Sequence, residues 1–148
     1  MQQDFVHIIL ADDDQDDRDF FSEAFDEIKI KTKLTLFNDG QQLMNYLLKN
    51  DALLPNILFL DLNMPLKSGV ECLHEIKQND QLKDIAIAIY STSASDEDIE
   101  ETFISGANIY IKKPSDFNLL KKILSDVVTI NWHYQTSGLN KENFLLKM

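Results

Sequence analysis

The chain lacks the features of several protein classes. It has a single cysteine, Cys72, so no disulfide can form within the chain and nothing points to an oxidising compartment. Basic residues are scarce: 14 lysines and arginines stand against 25 acids, for a formal net charge of −11. This balance argues against partners such as nucleic acid or an anionic membrane, and it suits a metal cation or a basic partner.

Long hydrophobic runs are also missing. No stretch approaches the roughly 18–20 apolar residues that are needed to cross a bilayer. The N-terminus has no basic segment, and the apolar residues 6–10 are too short for the core of a secretion signal. We therefore expect a soluble, cytoplasmic protein. Its 148 residues, 44% of them apolar, suffice for about one domain with a sizeable core.

Short apolar runs alternate with stretches of helical periodicity along the whole chain. Residues 57–60 show this most clearly, because an apolar run without alternation predicts a strand covered on both faces. Further strands are predicted at residues 6–11, 31–37, 85–90 and 108–112. Each strand is followed by a predicted helix. This repeated βα order predicts an α/β fold with a parallel sheet, helices on both of its faces and right-handed crossovers.

Residues that favour helix starts or sheet edges support these assignments. Asp39 and Ser68 begin capping-box patterns, and Ser95 or a neighbour is predicted to cap the fourth helix. Residues 114–115, proline and serine, are predicted to open the last helix. The polar face and flanking lysines of residues 31–37 predict an edge strand.

Polar side chains follow the strands where each one ends. Asp12 and Asp13 follow the first strand, and Asp61 follows the third. In a doubly wound sheet these ends lie along one edge, where three carboxylates without a counter-ion would repel one another. A hard divalent cation removes the conflict, and Mg²⁺ suits such a site. We predict Asp13 and Asp61 as direct ligands, Asp12 as a ligand through water, and the backbone carbonyl of Asn63 as a further oxygen.

A lysine and a hydroxyl complete the set at this edge. Ser91 follows the fourth strand and Lys113 the fifth. An acid, a metal, a lysine and a hydroxyl fit phosphoryl transfer, in which a carboxylate can itself be the nucleophile. Asp61 is the candidate, because it stands alone at the end of the central strand. Lys113 and the metal would share the phosphoryl oxygens, and Ser91 would donate a hydrogen bond to another.

Four motifs in order carry a family resemblance. They are residues 8–13, residues 61–65, the Ser91-Thr92 pair, and residues 106–114 with Tyr110 and Lys113. Over roughly residues 4–129 the chain resembles a receiver domain of two-component response regulators. The resemblance implies a flavodoxin-like fold with strand order 2-1-3-4-5.

The resemblance also implies a role. A phosphohistidine on a sensor histidine kinase or histidine phosphotransfer protein would pass its phosphoryl group to Asp61, with Mg²⁺, forming a phosphoaspartate. Ser91 and Tyr110 would then move inward and alter a surface that signals. The Lys113–Pro114 peptide bond would be cis. Such a protein is a switch in phosphorelay signal transduction, catalysing its own phosphorylation and dephosphorylation, and not a turnover enzyme.

The C-terminal residues follow a different pattern. We predict a receiver domain at residues 1–130 and a tail extension at residues 131–148, whose aromatics Trp132, Tyr134 and Phe144 are expected to pack back on the domain. The chain is similar to stand-alone receivers without an output domain. Its output is therefore expected to come from an unidentified protein partner or from self-association as a homodimer.

Two alternatives stay open. A phosphatase with an Asp-x-Asp nucleophile would use Asp12 and Asp14, and its acyl phosphate would form on Asp12. A degenerate receiver would act as a binding module independent of phosphorylation, without Mg²⁺ affinity or phosphoryl uptake. In the plainest interpretation, the acids, hydroxyls and lysines are ordinary loop and surface residues.

Overall fold

A computed structural model describes residues 5–129 and the backbone of residues 145–146. Its six-stranded parallel sheet has the order β2-β1-β3-β4-β5-β6. The strands are Val6–Ala11 (β1), Thr32–Phe37 (β2), Ile57–Leu60 (β3), Ala86–Ser91 (β4), Ile109–Lys112 (β5) and Leu145–Leu146 (β6). The helices are Gln15–Asp26 (α1), Gly40–Leu47 (α2), Gly69–Lys77 (α3), Asp96–Ile104 (α4) and Phe117–Thr129 (α5).

The first five strands confirm the predicted flavodoxin-like arrangement. Their order is 2-1-3-4-5, with helices between them, and β2 lies at the edge as its flanking lysines predicted. One predicted boundary was wrong: α5 begins at Phe117 and not at residues 114–115. Proline fixes its own φ but does not force a helix to begin, and here the first helical turn instead follows Asp116, whose carbonyl accepts from the Leu120 N–H at 3.0 Å.

Two apolar layers cover the two faces of the sheet. One contains the buried residues of α1 and α5, such as Phe21 and Leu124, and the other those of α2, α3 and α4, such as Met44 and Ile76. In β4 the small residues Ala86 and Ala88 face the α1/α5 layer, while isoleucines face the opposite layer. Because successive strand residues point to opposite faces, each strand contributes to both layers. The layers leave the ends of the strands free to carry polar groups.

The helix starts follow the predicted capping residues. Asp39 and Ser95 accept hydrogen bonds from backbone N–H groups in the first turns of α2 and α4. Ser68 forms a complete capping box with Glu71 at the start of α3. Asp14 caps α1. These bonds use N–H groups that have no partner within the helix, so they fix where each loop ends.

The strand β6 was not predicted. It pairs in parallel with β5, with Leu145 opposite Tyr110 and Leu146 opposite Ile111. The prediction that Trp132, Tyr134 and Phe144 pack back on the domain lies outside the described residues. The division of the chain at residue 130 stays a prediction.

Among the described residues, no helix is both long enough and apolar enough to cross a membrane.

We expect Phe59→Ala to lower the free energy of unfolding by about 3–5 kcal/mol, because the ring is fully buried and the cavity cannot fill easily. Its centroid lies 5.0 Å from that of Phe21 and 6.4 Å from that of Tyr90. Urea unfolding followed by circular dichroism measures the loss. Leu66→Ala is the control, since Leu66 is 79% exposed and should change stability little. Equal losses in the two variants would contradict this account of the core.

Candidate functional site

Three carboxylates meet at the edge of the sheet where β1 and β3 end. Oxygens of Asp12, Asp13 and Asp61 all lie within 4.8 Å of one another. Asp12 and Asp61 are buried, whereas Asp13 is exposed. The cluster therefore has two carboxylates held in the protein and one that faces solvent, which leaves a path by which a small ion can enter.

The ammonium group of Lys113 lies among these acids. Its Nζ is 2.8 Å from Oδ2 of Asp12 and 3.5 Å from Oδ2 of Asp61. A third carboxylate, that of Asp17 on α1, accepts a hydrogen bond from Nζ at 2.7 Å. The Lys113 side chain is only 8% exposed, and its Nζ lies 5.4 Å from the centre of the Tyr90 ring. Several carboxylates thus share one buried cation.

Backbone hydrogen bonds fix the strand ends that carry these groups. The Asp61 N–H donates to the Ala11 carbonyl at 3.0 Å, which joins the end of β3 to that of β1. The Lys113 N–H donates to the Ser91 carbonyl at 2.8 Å, which joins the end of β5 to that of β4. Because neighbouring strands hold both residues, their side chains start from rigid positions.

The loop after Asp61 returns closely over the backbone of that residue. A Cβ atom on Gly69 would lie 2.1 Å from the Asp61 carbonyl oxygen. The Gly69 N–H donates to the Leu62 carbonyl at 2.9 Å. In between, Leu66 has a φ of 67°, which is uncommon for a residue other than glycine. Gly69 thus allows α3 to begin against the residue that carries the central carboxylate.

Burial changes the protonation of the site. It raises the pKa of Asp61 to about 6. The positive charge of Lys113 opposes this rise, and the negative charge of Asp12 adds to it. Burial also raises the pKa of Asp12, although the Lys113 ammonium group and a hydrogen bond from the Asp14 N–H oppose the rise. For Lys113, burial alone would lower the pKa, but Asp12, Asp17 and Asp61 outweigh it and the pKa is raised. The charged forms of these carboxylates are therefore destabilised by burial, and a bound cation would stabilise them.

The donor set fits a divalent metal ion. Oδ2 of Asp12 is buried and accepts no hydrogen bond of ordinary geometry from the residues that the structure describes, although Lys113 forms an ion pair with it. Such an oxygen, beside the carboxylates of Asp13 and Asp61, offers the hard ligands that Mg²⁺ and Mn²⁺ favour. The cluster can therefore hold a cation of this class.

The sequence matches a known protein family. The family model described as response regulator receiver domain matches residues 8–125. The chain belongs to the response regulator receiver family.

Relatives of known structure share the fold. Response regulator Rcp1 of a Synechocystis species is 31% identical over 124 residues, which cover 81% of this chain and 84% of Rcp1. The crystal structure of its Mn²⁺-bound form has a TM-score of 0.76 at 30% identity and covers 86% of this chain and 94% of that one. The phosphorylated cyanobacterial phytochrome response regulator RcpA has a TM-score of 0.76 at 28% identity, covering 92% and 97% of the two chains.

Two other receiver-domain residues singled out in the sequence lie beside the β4–α4 loop. Ser91 is fully buried, and its Oγ accepts from the Ser93 N–H at 3.1 Å. The Tyr110 hydroxyl donates to the Ser93 carbonyl at 2.8 Å. The resemblance implied an inward movement of Tyr110, but its ring is already fully buried here. One loop residue, Ser93, thus connects the end of β4 to the aromatic side chain of β5.

The expected cis peptide bond is absent. The structure has no cis peptide bond among its described residues, so the Lys113–Pro114 bond is trans. The trans isomer is the ordinary one before proline, favoured by about 0.5–1 kcal/mol.

Sequence reasoning missed two residues of α1. Asp17 was not predicted as part of the site, yet it binds Lys113. Arg18 was not considered, and its Nη1 donates to the Asp12 carbonyl at 2.7 Å. The available signal was position, because the two residues lie six and seven positions after the end of β1, in the first turn of the helix that starts beside that strand end.

We expect Asp61→Asn to stabilise the metal-free protein near pH 8 by about 1–3 kcal/mol. The folded pKa of about 6 lies above the ordinary value of 3.8, so the folded state binds the proton more tightly. Wild-type stability therefore falls as pH rises through this window, whereas asparagine cannot titrate. The gain should shrink toward zero near pH 4.

Chemical unfolding in EDTA at the two pH values measures this difference. Asp51→Asn, at an exposed turn, is the control and should show no such pH-dependent gain. A gain in stability for Asp61→Asn that is the same at both pH values would show that the pKa of the buried Asp61 carboxyl is not raised in this way.

We expect Gly69→Ala to lower stability by about 1–3 kcal/mol and to weaken Mg²⁺ binding, because the added methyl group must displace the Asp61 backbone. Ser68→Ala is the control, since it removes the helix cap at a cost of about 1 kcal/mol without touching Asp61. Calorimetric titration with Mg²⁺ separates the two. Unchanged Mg²⁺ affinity in folded Gly69→Ala would show that the close approach does not position the site.

Proposed function

We propose that this receiver domain is a phosphorylation-dependent switch and that Asp61 is its phosphoacceptor. The observation that carries the proposal is the position of the Lys113 ammonium between Asp12 and Asp61, in a cluster that can hold a divalent cation. Of the two buried acids of the cluster, Asp61 directly follows β3 and lies farther from the Lys113 Nζ, at 3.5 Å against 2.8 Å for Asp12. Its carboxylate therefore has an oxygen that is less fully neutralised.

In the proposed reaction a carboxylate oxygen of Asp61 attacks the phosphorus of a phosphohistidine. The new O–P bond forms as the P–N bond breaks, and the imidazole keeps the electron pair and takes up a proton. Lys113 would bind a phosphoryl oxygen, and the buried Ser91 hydroxyl would donate a hydrogen bond to another. Such positioning and charge neutralisation account for most catalysis of phosphoryl transfer.

The metal would be held by Asp12, Asp13 and Asp61, with the Asn63 backbone carbonyl as a further ligand. Bound Mg²⁺ would supply positive charge that offsets the charge of the transferring group. Asp13 is exposed, so an arriving cation can reach its carboxylate from solvent. The Mn²⁺-bound form of Rcp1 supports a divalent ion of this class.

Phosphorylation would reach the surface through the loop after β4. A phosphate group brings about −1.5 to −2 charges near neutral pH, enough to draw in the Ser91 hydroxyl. Because Ser93 bonds to both Ser91 and Tyr110, a shift of Ser91 would break or move the contact with the tyrosine hydroxyl. The surface formed by α4, β5 and α5 would change with it.

The proposed partners follow from this reaction. The phosphoryl donor would be a sensor histidine kinase or a histidine phosphotransfer protein, and the phosphorylated RcpA structure is a relative in the phosphorylated form. The changed surface would be recognised by a downstream protein or by a second copy of this chain as a homodimer. With a net charge of −11, the downstream contact would favour a basic protein surface.

We expect phosphoramidate with Mg²⁺ to add one phosphoryl group to the wild-type protein, at Asp61, in a form that hydroxylamine removes. Intact-mass spectrometry and peptide mapping measure this. Asp61→Asn should take up none. Asp51→Asn is the control for handling and should behave as the wild type does.

The alternatives give different outcomes. Phosphate mapped to Asp12 in the wild type, and lost in Asp12→Asn, would favour the Asp-x-Asp phosphatase. Absence of both phosphoryl uptake and Mg²⁺ binding would favour a phosphorylation-independent binding module. Either result would overturn the proposed role of Asp61.

A further inference from the structure

Asp17 lies outside the acid cluster but holds its lysine. The cluster that can bind a metal consists of Asp12, Asp13 and Asp61. Asp17 instead stands in the first turn of α1, where its own N–H donates to Oδ1 of Asp14 at 3.0 Å. That bond fixes the Asp17 backbone. Its carboxylate therefore projects from a defined position rather than from a free loop.

The contacts of Lys113 are unequal. Its Nζ lies 2.7 Å from Asp17, 2.8 Å from Asp12 and 3.5 Å from Asp61. An ammonium group has three N–H donors. Two of them form hydrogen bonds, a short one of 2.7 Å to Asp17 and a long one of 3.5 Å to Asp61, whereas Asp12 forms an ion pair. Asp17 thus holds the ammonium group by the shorter of its two hydrogen bonds.

We propose that Asp17 is a positioning residue, a latch that draws the Lys113 ammonium toward itself in the resting receiver domain, so that its contact with Asp61 is long, and releases it when a phosphoryl group arrives. The inference rests on the proposed role of Asp61 as phosphoacceptor. The latch lowers the rate of phosphorylation, because Lys113 must lengthen its short contact with Asp17 as it moves toward a phosphoryl oxygen on Asp61.

The charge of Asp17 acts in the same direction. A phosphoryl donor approaches the site as an anion, and a carboxylate beside Lys113 cancels part of the attraction of that lysine. The Asp17 side chain is 35% exposed, so solvent screens part of this effect. Asp17 therefore slows phosphorylation in two ways, by holding the Lys113 ammonium group and by adding a negative charge. Both effects predict that removing the Asp17 carboxylate speeds phosphorylation.

The test compares initial rates of phosphorylation by phosphoramidate at saturating Mg²⁺, followed by intact-mass spectrometry. We expect Asp17→Asn to react about three- to fivefold faster than the wild type, the upper part of the range expected for losing a partly exposed ion pair. Asp17→Ser serves as a second neutral variant, since asparagine and serine are both favourable near a helix start. Asp17→Glu keeps the carboxylate and should react within about twofold of the wild type.

Asp16→Asn is the matched control. Asp16 is exposed, stands in the same first turn and carries the same charge. Its removal tests the general effect of a less acidic helix start, and we expect a change below about twofold.

A double-mutant cycle separates the latch from a merely structural role. In the background Lys113→Met, Asp17→Asn should accelerate phosphorylation no more than Asp16→Asn does, because no ammonium remains to be released. An undiminished acceleration in that background would overturn the proposal, as would an unchanged or slower rate in folded Asp17→Asn and Asp17→Ser. Wild-type protein that takes up no phosphoryl group would instead refute the proposed function itself.

Discussion

The sharing of one buried ammonium group by three carboxylates is the interaction on which the site depends. Lys113 reaches Asp12, Asp17 and Asp61 from the end of β5, and the cation neutralises only part of their charge. Burial, together with the charge of Asp12, therefore raises the pKa of Asp61 to about 6 in spite of Lys113. A cation that enters the site would stabilise these carboxylates. Lys113 contacts all three of them and is not paired with one alone.

The fold makes this arrangement possible because its apolar residues lie on the two faces of the sheet and not at the strand ends. Helices on both faces bury the strands, so the stability of the domain rests on the two layers and the strand ends can carry charges. Backbone hydrogen bonds from Asp61 to Ala11 and from Lys113 to Ser91 then fix the polar residues on four neighbouring strands. Rigid strand ends hold the groups apart at fixed distances, and the loops, with Gly69 seated against Asp61, complete the site.

The sequence predicted those parts that have a local signal. Apolar runs, strand-end acids and the Ser68 capping box each follow from residues close together in the chain, and all were confirmed as structural features. The contact between Asp17 and Lys113 spans 96 positions, and an acid in a first helical turn already has a sufficient local explanation. Leu145–Leu146 is too short to show any periodicity, so β6 could not be recognised before β5 was placed beside it.

The pairing of β6 with β5 has a consequence for the behaviour of the protein in concentrated solution. The sheet has two lateral borders, and an unpaired border is a template for lateral growth between molecules. On one border β2 carries the exposed Lys33, whose charge disfavours stacking of like chains. On the other, Leu145–Leu146 occupies backbone groups beside Tyr110 and Ile111. Without that pairing, the backbone groups of β5 at this border would be open to a strand of another molecule.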